Sequence, residues 1–236
     1  RDSSTSRGLG DVYKRQMYHN HPVKIDIAGT VETIAEITAE KLYEVYNVFY
    51  NLNNMILCVA GNVTVDGVLK VADKMLKPCE KKEIKNYFET EPYEIKEPYV
   101  EQTFPVSMPL FNLGFKEKAD KPLNEKQLAC TDILLSALAS NTSMLYRNLM
   151  DSNLINSSFS YELFEGPGYC SVIFGGESRA PKQAAEMIKQ YISDIKKNGI
   201  DKEDFEIARK SVYGDSVSSL NSVCLLYTSP SPRDVE

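Results

Sequence analysis

The sequence predicts an α+β protein, and three observations carry that reading. Apolar residues recur at helical spacing behind capping residues in several segments. Two apolar runs, Phe159–Phe164 and Tyr169–Phe174, flank Glu165-Gly166-Pro167-Gly168, which has the chemistry of a hairpin turn. Met55–Ala60 is a continuous apolar run of strand length, the pattern of a strand covered on both faces. With 236 residues, 42% hydrophobic and 25% charged, the chain has an ordinary globular composition and room for one large domain or two small ones.

The elements follow in order. Thr30 can cap a first helix, with Glu32 in its opening turn, where free N–H groups and the helix dipole favour a carboxylate. Thr38 can cap a second, with Glu40 placed alike; Leu42, Val45, Tyr46 and Phe49 at i, i+3, i+4, i+7 make its apolar face. Asn51, Asn53 and Asn54 break the pattern ahead of the Met55–Ala60 strand. Thr64 can cap a helix with Val68, Leu69, Ala72, Met75 and Leu76 on one face, ended by Lys77-Pro78. The stretch 78–98 is charged, carries Pro92 and Pro98, and reads as a linker with solvated Lys and Glu. Val100–Val106 and Leu110–Phe115 read as strands that Pro105 and Pro109 confine to an edge or a break.

Pro122 and Leu123 open a long helix bearing Leu128, Ile133, Leu134, Leu135 and Leu138, and Thr142 can cap another through Leu145, Leu149 and Met150. After the hairpin, Pro181 opens a helix with Ala184, Ala185, Ile188, Tyr191, Ile192 and Ile195 inward, stopped by Asn198-Gly199. Asp201 can cap the last helix, with Phe205, Ala208 and Val212.

A formal charge of -6 with no basic stripe argues against nucleic acid as a partner. No run of about 18 consecutive apolar residues exists, so no membrane span is expected. The five cysteines sit singly; Cys58, Cys130 and Cys170, in apolar context, read as reduced core residues, and a cytoplasmic location is expected. Arg1–Gln16 and Cys224–Glu236 carry no hydrophobic period and resemble translated sequencing-adapter read-through. Both are expected to be non-native tails that pack on nothing, leaving Met17–Val223 as a gene fragment truncated on both sides.

One succession of motifs carries a family resemblance: His21-Pro22, Gly-Thr-x-Glu-x-Ile at Gly29–Ile34, Ile-Thr-x-Glu-x-Leu at Ile37–Leu42, Phe49-Tyr50, and Asn-Met-x-Leu-x-Val-x-Gly at Asn54–Gly61. It resembles the insulinase/pitrilysin zinc metallopeptidases, and among them the short bacterial members associated with elongation factor P modification. The resemblance implies two partial α/β domains with mixed or antiparallel sheets and helices packed on one face. On that scheme residues 17–77 are the C-terminal part of the first peptidase domain and 78–98 the linker. Residues 99–223 are then the second, inactive domain, truncated before its own copy of the helix–turn–strand–helix segment.

In that family zinc is held by a His-x-x-Glu-His helix and a downstream glutamate, and the glutamate between the histidines is the general base. This chain has two histidines, His19 and His21, spaced H-x-H. On a strand such a pair would share a face and could meet a metal; the favoured reading is that His21-Pro22 shapes a loop leading into Ile25-Asp26-Ile27. No catalytic, cofactor-binding or metal residue is therefore expected in this chain, and zinc is expected only in the full-length parent. Gly175-Gly176-Glu177-Ser178 lacks the Lys of a phosphate loop, no Gly-x-Ser-x-Gly elbow exists, and Arg147 and Arg179 read as solvated. Some family members place an arginine and a tyrosine of the second domain near the substrate. Met150 and Asn156 stand at the matching positions, so those roles do not carry over; Tyr161 could substitute, but nothing in the sequence requires it.

The expected function is therefore that of a fragment of a zinc metallopeptidase that hydrolyses peptide bonds through metal-activated water. The fragment covers the chamber wall and second domain, not the active site. The expected partners are a peptide substrate and a second family subunit, as a heterodimer. The alternative is a non-catalytic family member acting as a partner or scaffold subunit.

Overall fold

The computed structural model describes residues 12–81, 89–103, 105–118 and 121–228. In chain order its helices are α1 (residues 12–17), α2 (Val31–Ala35), α3 (Ala39–Phe49), α4 (Val65–Met75), α5 (Glu125–Ala139), α6 (Met144–Asp151), α7 (Pro181–Asn198), α8 (Lys202–Ser219) and α9 (Val223–Thr228). Its strands are β1 (Leu110–Glu117), β2 (Ser160–Gly166) and β3 (Tyr169–Glu177). The chain divides into unit 1 (Arg1–Ala28 with Phe88–Val212) and unit 2 (Gly29–Tyr87 with Tyr213–Glu236). Residues up to Ala28 thus group with the later half of the chain and not with the helices that directly follow them.

Unit 1 is built on an antiparallel sheet in the order β1-β3-β2. Leu113, Phe174 and Tyr161 lie in register across it, as do Phe115, Val172 and Leu163. This face packs on α5, α6 and α7, and the shared core includes Leu135, Leu138, Leu145, Leu149, Phe174 and Ile188. The expected helices on one face of an antiparallel sheet are present. Leu149 is fully buried, so Leu149→Ala is expected to cost about 2–5 kcal/mol through lost burial and an unfilled cavity. The check is a lower urea midpoint at an unchanged slope.

The other face carries Gly114, Lys116 and Ser171, and it lies beneath the residues after α1. Gly114 lets the chain approach: a Cβ there would meet Met17 Sδ at 2.8 Å. At the hairpin tip Pro167 and Gly168 form a two-residue turn, with Gly168 at φ +83°, a left-handed geometry that suits glycine.

Helix boundaries follow local capping with small shifts. Thr30, Thr38 and Thr64 each accept a backbone N–H of their own first turn, as expected. The long helix starts later than Pro122, at Glu125, because Asn124 and Gln127 form a reciprocal capping box. The next helix is capped by Ser143, not Thr142, whose hydroxyl pairs with Ser140. By length and composition Glu125–Asp151 could pass for a membrane-crossing stretch, with hydropathy 1.2. It is instead two helices broken at residues 140–143, and Leu135, Leu138, Leu145 and Leu149 are buried in the core.

Three expectations fail for want of a partner. Val100–Val106 forms no strand among its described residues, since no neighbouring strand completes a ladder there. Met55–Ala60 is not a strand either, and it is not covered: Met55, Ile56 and Leu57 are 52%, 55% and 63% exposed. Cys58 and Cys130 are exposed, and of the three cysteines assigned to a core only Cys170 is buried. Leu42, Val45, Tyr46 and Phe49 do share a face of α3, yet that face is open, and Asn51 is the only buried residue described in unit 2.

The described part of the N-terminal segment does pack, contrary to the expectation for Arg1–Gln16. The Tyr13 ring meets Phe164 edge-on at 6.4 Å, and Lys14 Nζ lies 4.8 Å from the Phe164 centroid. Residues 1–11 and 229–236 lie outside the described residues, and residues 223–228 at the other end are the helix α9.

Candidate functional site

The most highly organised polar cluster lies in unit 1, where the His19–Pro22 loop, the segment after Thr90 and β1 meet. Lys116 on β1 and Glu91 form an ion pair of 2.7 Å, with the two side chains 3% and 8% exposed. Glu91 also accepts the N–H groups of His19, Asn20 and His21, each at 2.8 Å. Lys116 Nζ further donates to the carbonyls of Met17 at 2.8 Å, Pro92 at 2.7 Å and Glu94 at 3.2 Å. Burial alone would push the Glu91 carboxyl up; the Lys116 ammonium and the three N–H groups outweigh it and hold the carboxyl at about 2. Charge-assisted hydrogen bonds of this kind are the strong ones, and every partner is already in place.

His21 is buried and fully committed. Its Nδ1 accepts the Val23 N–H at 3.1 Å, so the ring proton sits on Nε2, which donates to the Pro167 carbonyl at 3.0 Å. That fixes the neutral tautomer and ties the loop to the hairpin tip, where the rings of His21 and Tyr169 stand 5.1 Å apart. As expected, His21-Pro22 shapes a turn, the 3-10 segment Pro22–Lys24 with His21 as its cap. The His21 Nδ1 lone pair is spent on Val23 and Nε2 carries the proton, so the pair H-x-H offers no two-nitrogen metal clamp. Among the described residues no group of three His, Cys, Asp or Glu could hold a metal ion. The residues present do not fit the family's zinc.

Two buried groups near this cluster are pushed towards their neutral forms. Burial pushes the Tyr18 phenol up to about 12. Burial also raises the Cys170 thiol, with the Glu165 and Glu117 carboxylates adding to it, so the thiolate is disfavoured.

Met150 is 38% exposed on α6 and offers no hydrogen-bond donor. Asn156 is engaged elsewhere: its amide donates to Glu177 Oε2 at 2.6 Å and accepts the Ser158 N–H at 2.9 Å, tying a loop to β3. Tyr161 packs against the core of unit 1. A cleft of about 680 Å³ opens beside the start of β1 and α7, with Tyr99, Gln102, Asn112, Lys182 and Gln183 in its wall.

Sequence reasoning singled out His19 and His21 but missed Glu91 and Lys116. Glu91 lies in a stretch whose composition marks solvated linker, and its partner is 25 residues away with no periodicity joining them. A lone lysine in an apolar strand was the one available signal.

Comparison with known proteins places these observations. The peptidase M16 inactive domain matches residues 36–212. The chain is 32% identical over 212 residues to the zinc protease YmfH of Bacillus subtilis, covering 87% of this chain and 49% of that protein. It is 26% identical over 220 residues to the zinc protease YmxG of the same organism, covering 90% and 51%. The chain thus spans about half the length of these curated relatives. An M16-like peptidase of Alicyclobacillus acidocaldarius superposes with a TM-score of 0.87 at 32% identity, over 95% of this chain and 54% of that one. A protease of Helicobacter pylori shares the fold, with a TM-score of 0.80 at 21% identity over 93% and 54%. The chain belongs to the peptidase M16 family of insulinase-type metallopeptidases, and most of it corresponds to the family's inactive domain.

Proposed function

We propose that this chain is the chamber wall and second, non-catalytic domain of an M16 zinc metallopeptidase that hydrolyses peptides with metal-activated water. Zinc, its ligands and the general base would belong to the remainder of the parent. The observation that carries the reading is the pairing of an inactive-domain match over 36–212 with a histidine complement limited to His19 and His21, of which His21 has both ring nitrogens engaged. The family's chemistry needs two ring nitrogens and a carboxylate at one point, and this chain has no such set to offer. The purified chain is therefore expected to retain no stoichiometric zinc after dialysis and to cleave no peptide. One tightly held zinc per chain, lost on replacing His19 and His21, would overturn the proposal.

A second reading is favoured by Met150 and Asn156. A peptide held for hydrolysis needs positioned donors; Met150 has none by its chemistry, and Asn156 offers no phenol and spends one amide N–H on Glu177. The parent would then work as one half of a heterodimer, with a second family subunit supplying the donors. The measurement is peptide cleavage by the full-length protein with and without a neighbouring family subunit. Full activity from the lone subunit, unchanged by the partner, removes this reading.

A further inference from the structure

Lys116 ends in an unusual environment for a side-chain amine. An ammonium has three N–H bonds, yet four oxygens stand within hydrogen-bond distance of Nζ. Three are main-chain carbonyls, of Met17 at 2.8 Å, Pro92 at 2.7 Å and Glu94 at 3.2 Å, and the fourth is Glu91 Oε1 at 2.7 Å. The Tyr18 ring lies 4.8 Å from Nζ to centroid, so a further side of the pocket is a π face that also favours a cation. With Lys116 3% exposed and Glu91 8% exposed, the pair is almost fully shielded from bulk solvent.

None of the four oxygens belongs to β1, so none depends directly on the lysine stem for its place. Glu91, which brings the only negative charge among them, is held by the N–H groups of His19, Asn20 and His21. Several carbonyl oxygens can replace the hydration shell of a potassium-sized ion. Calcium and magnesium want shorter oxygen distances, and all-protein calcium sites gather several carboxylates. One carboxylate with three carbonyls at 2.7–3.2 Å matches a single positive charge of ammonium or potassium size.

We infer that this pocket is a monovalent-cation site filled from within by the Lys116 ammonium, and that a free ammonium or potassium ion takes it when the side chain is cut back. The internal cation gathers the end of α1, the segment 91–94 and β1 at one point. Lys116 is thereby the positioning residue of the His19–Pro22 loop.

The test compares Lys116→Ala, which empties the pocket, with Lys116→Met, whose stem fills it without a charge. Thermal unfolding of each variant and of the unaltered chain is followed in equal concentrations of ammonium, potassium and tetramethylammonium chloride. In tetramethylammonium both variants are expected to unfold about 6–20 °C below the unaltered chain, as for a broken buried pair in a domain of this size. Ammonium and potassium should raise the Lys116→Ala midpoint saturably, leaving Lys116→Met and the unaltered chain unmoved relative to tetramethylammonium. Should Lys116→Ala fail to fold in tetramethylammonium, recovery of folded protein on refolding in ammonium gives the same reading. Equal responses of Lys116→Ala to all three chlorides, or equal responses of the two variants, would overturn the inference.

Discussion

Replacing Glu91 by alanine is expected to lower the unfolding free energy by about 3–5 kcal/mol, the range for removing one partner of a buried ion pair. The loss has two parts. Lys116, with its 3% exposed side chain, loses the carboxylate that compensates it. The N–H groups of His19, Asn20 and His21 lose the acceptor they share, and an unsatisfied buried donor carries its own desolvation cost. Glu91→Gln should fall between alanine and the unaltered chain, since it keeps the shape and one acceptor oxygen. Acid reads the same interaction. The Glu91 carboxyl stands at about 2 in the folded chain against an ordinary value of 4.5, so the unfolded chain binds the proton first as pH falls. Its stabilising contribution, about 3 kcal/mol by linkage, is complete above pH 4.5 and is lost as pH drops towards 2. Urea unfolding between pH 6 and pH 2.5 checks this. The unaltered chain should lose stability more steeply than Glu91→Gln across that window, and parallel curves would show that the ion pair does not govern it.

The contrast between what the sequence disclosed and what it hid follows the range of the interactions. Helix caps are three-residue events, so Thr30, Thr38 and Thr64 announced themselves, and the errors at Pro122 and Thr142 came from stronger caps one or two residues on, Asn124 and Ser143. The hairpin was legible because Pro167-Gly168 is local chemistry between two apolar runs. Burial was legible only where the pattern meets a partner inside the chain: Ile188 on α7 is fully buried, while Leu42 on α3, equally periodic, is 59% exposed. The polar joint was hidden for the same reason. Glu91 reaches across 72 residues to His19 and 25 to Lys116, and nothing in its own neighbourhood marks it as buried. The family resemblance, by contrast, was densest in local motifs from His21 to Gly61, continued more loosely to about Leu220, and was readable without any packing at all.

Amides of Met55–Ala60 are expected to exchange with solvent at nearly the unstructured rate in this chain, and to be protected more than about a thousandfold in the full-length parent. The run is apolar on both alternating faces and of strand length, yet it sits in no ladder and Leu57 is 63% exposed. Around it Leu42, Val45, Tyr46 and Phe49 on α3, and Leu69 and Met75 on α4, are each roughly half exposed or more. At about 25 cal/mol per Å² of apolar surface, covering these side chains would add many kcal/mol. Within unit 2 there is almost no burial to offset the ordering of α2, α3 and α4, whereas unit 1 has a continuous core from Phe111 to Ile188. Exchange in the isolated chain should therefore be bimodal, slow in β3 and α7 and fast from Val31 to Met75. The relatives this chain matches are about twice as long, and on the proposed reading of the chain as part of such a protein, the added length is expected to remove the difference by covering the Met55–Ala60 run. Fast exchange of that run in a protein of the relatives' length would mean that its apolar faces are open by design.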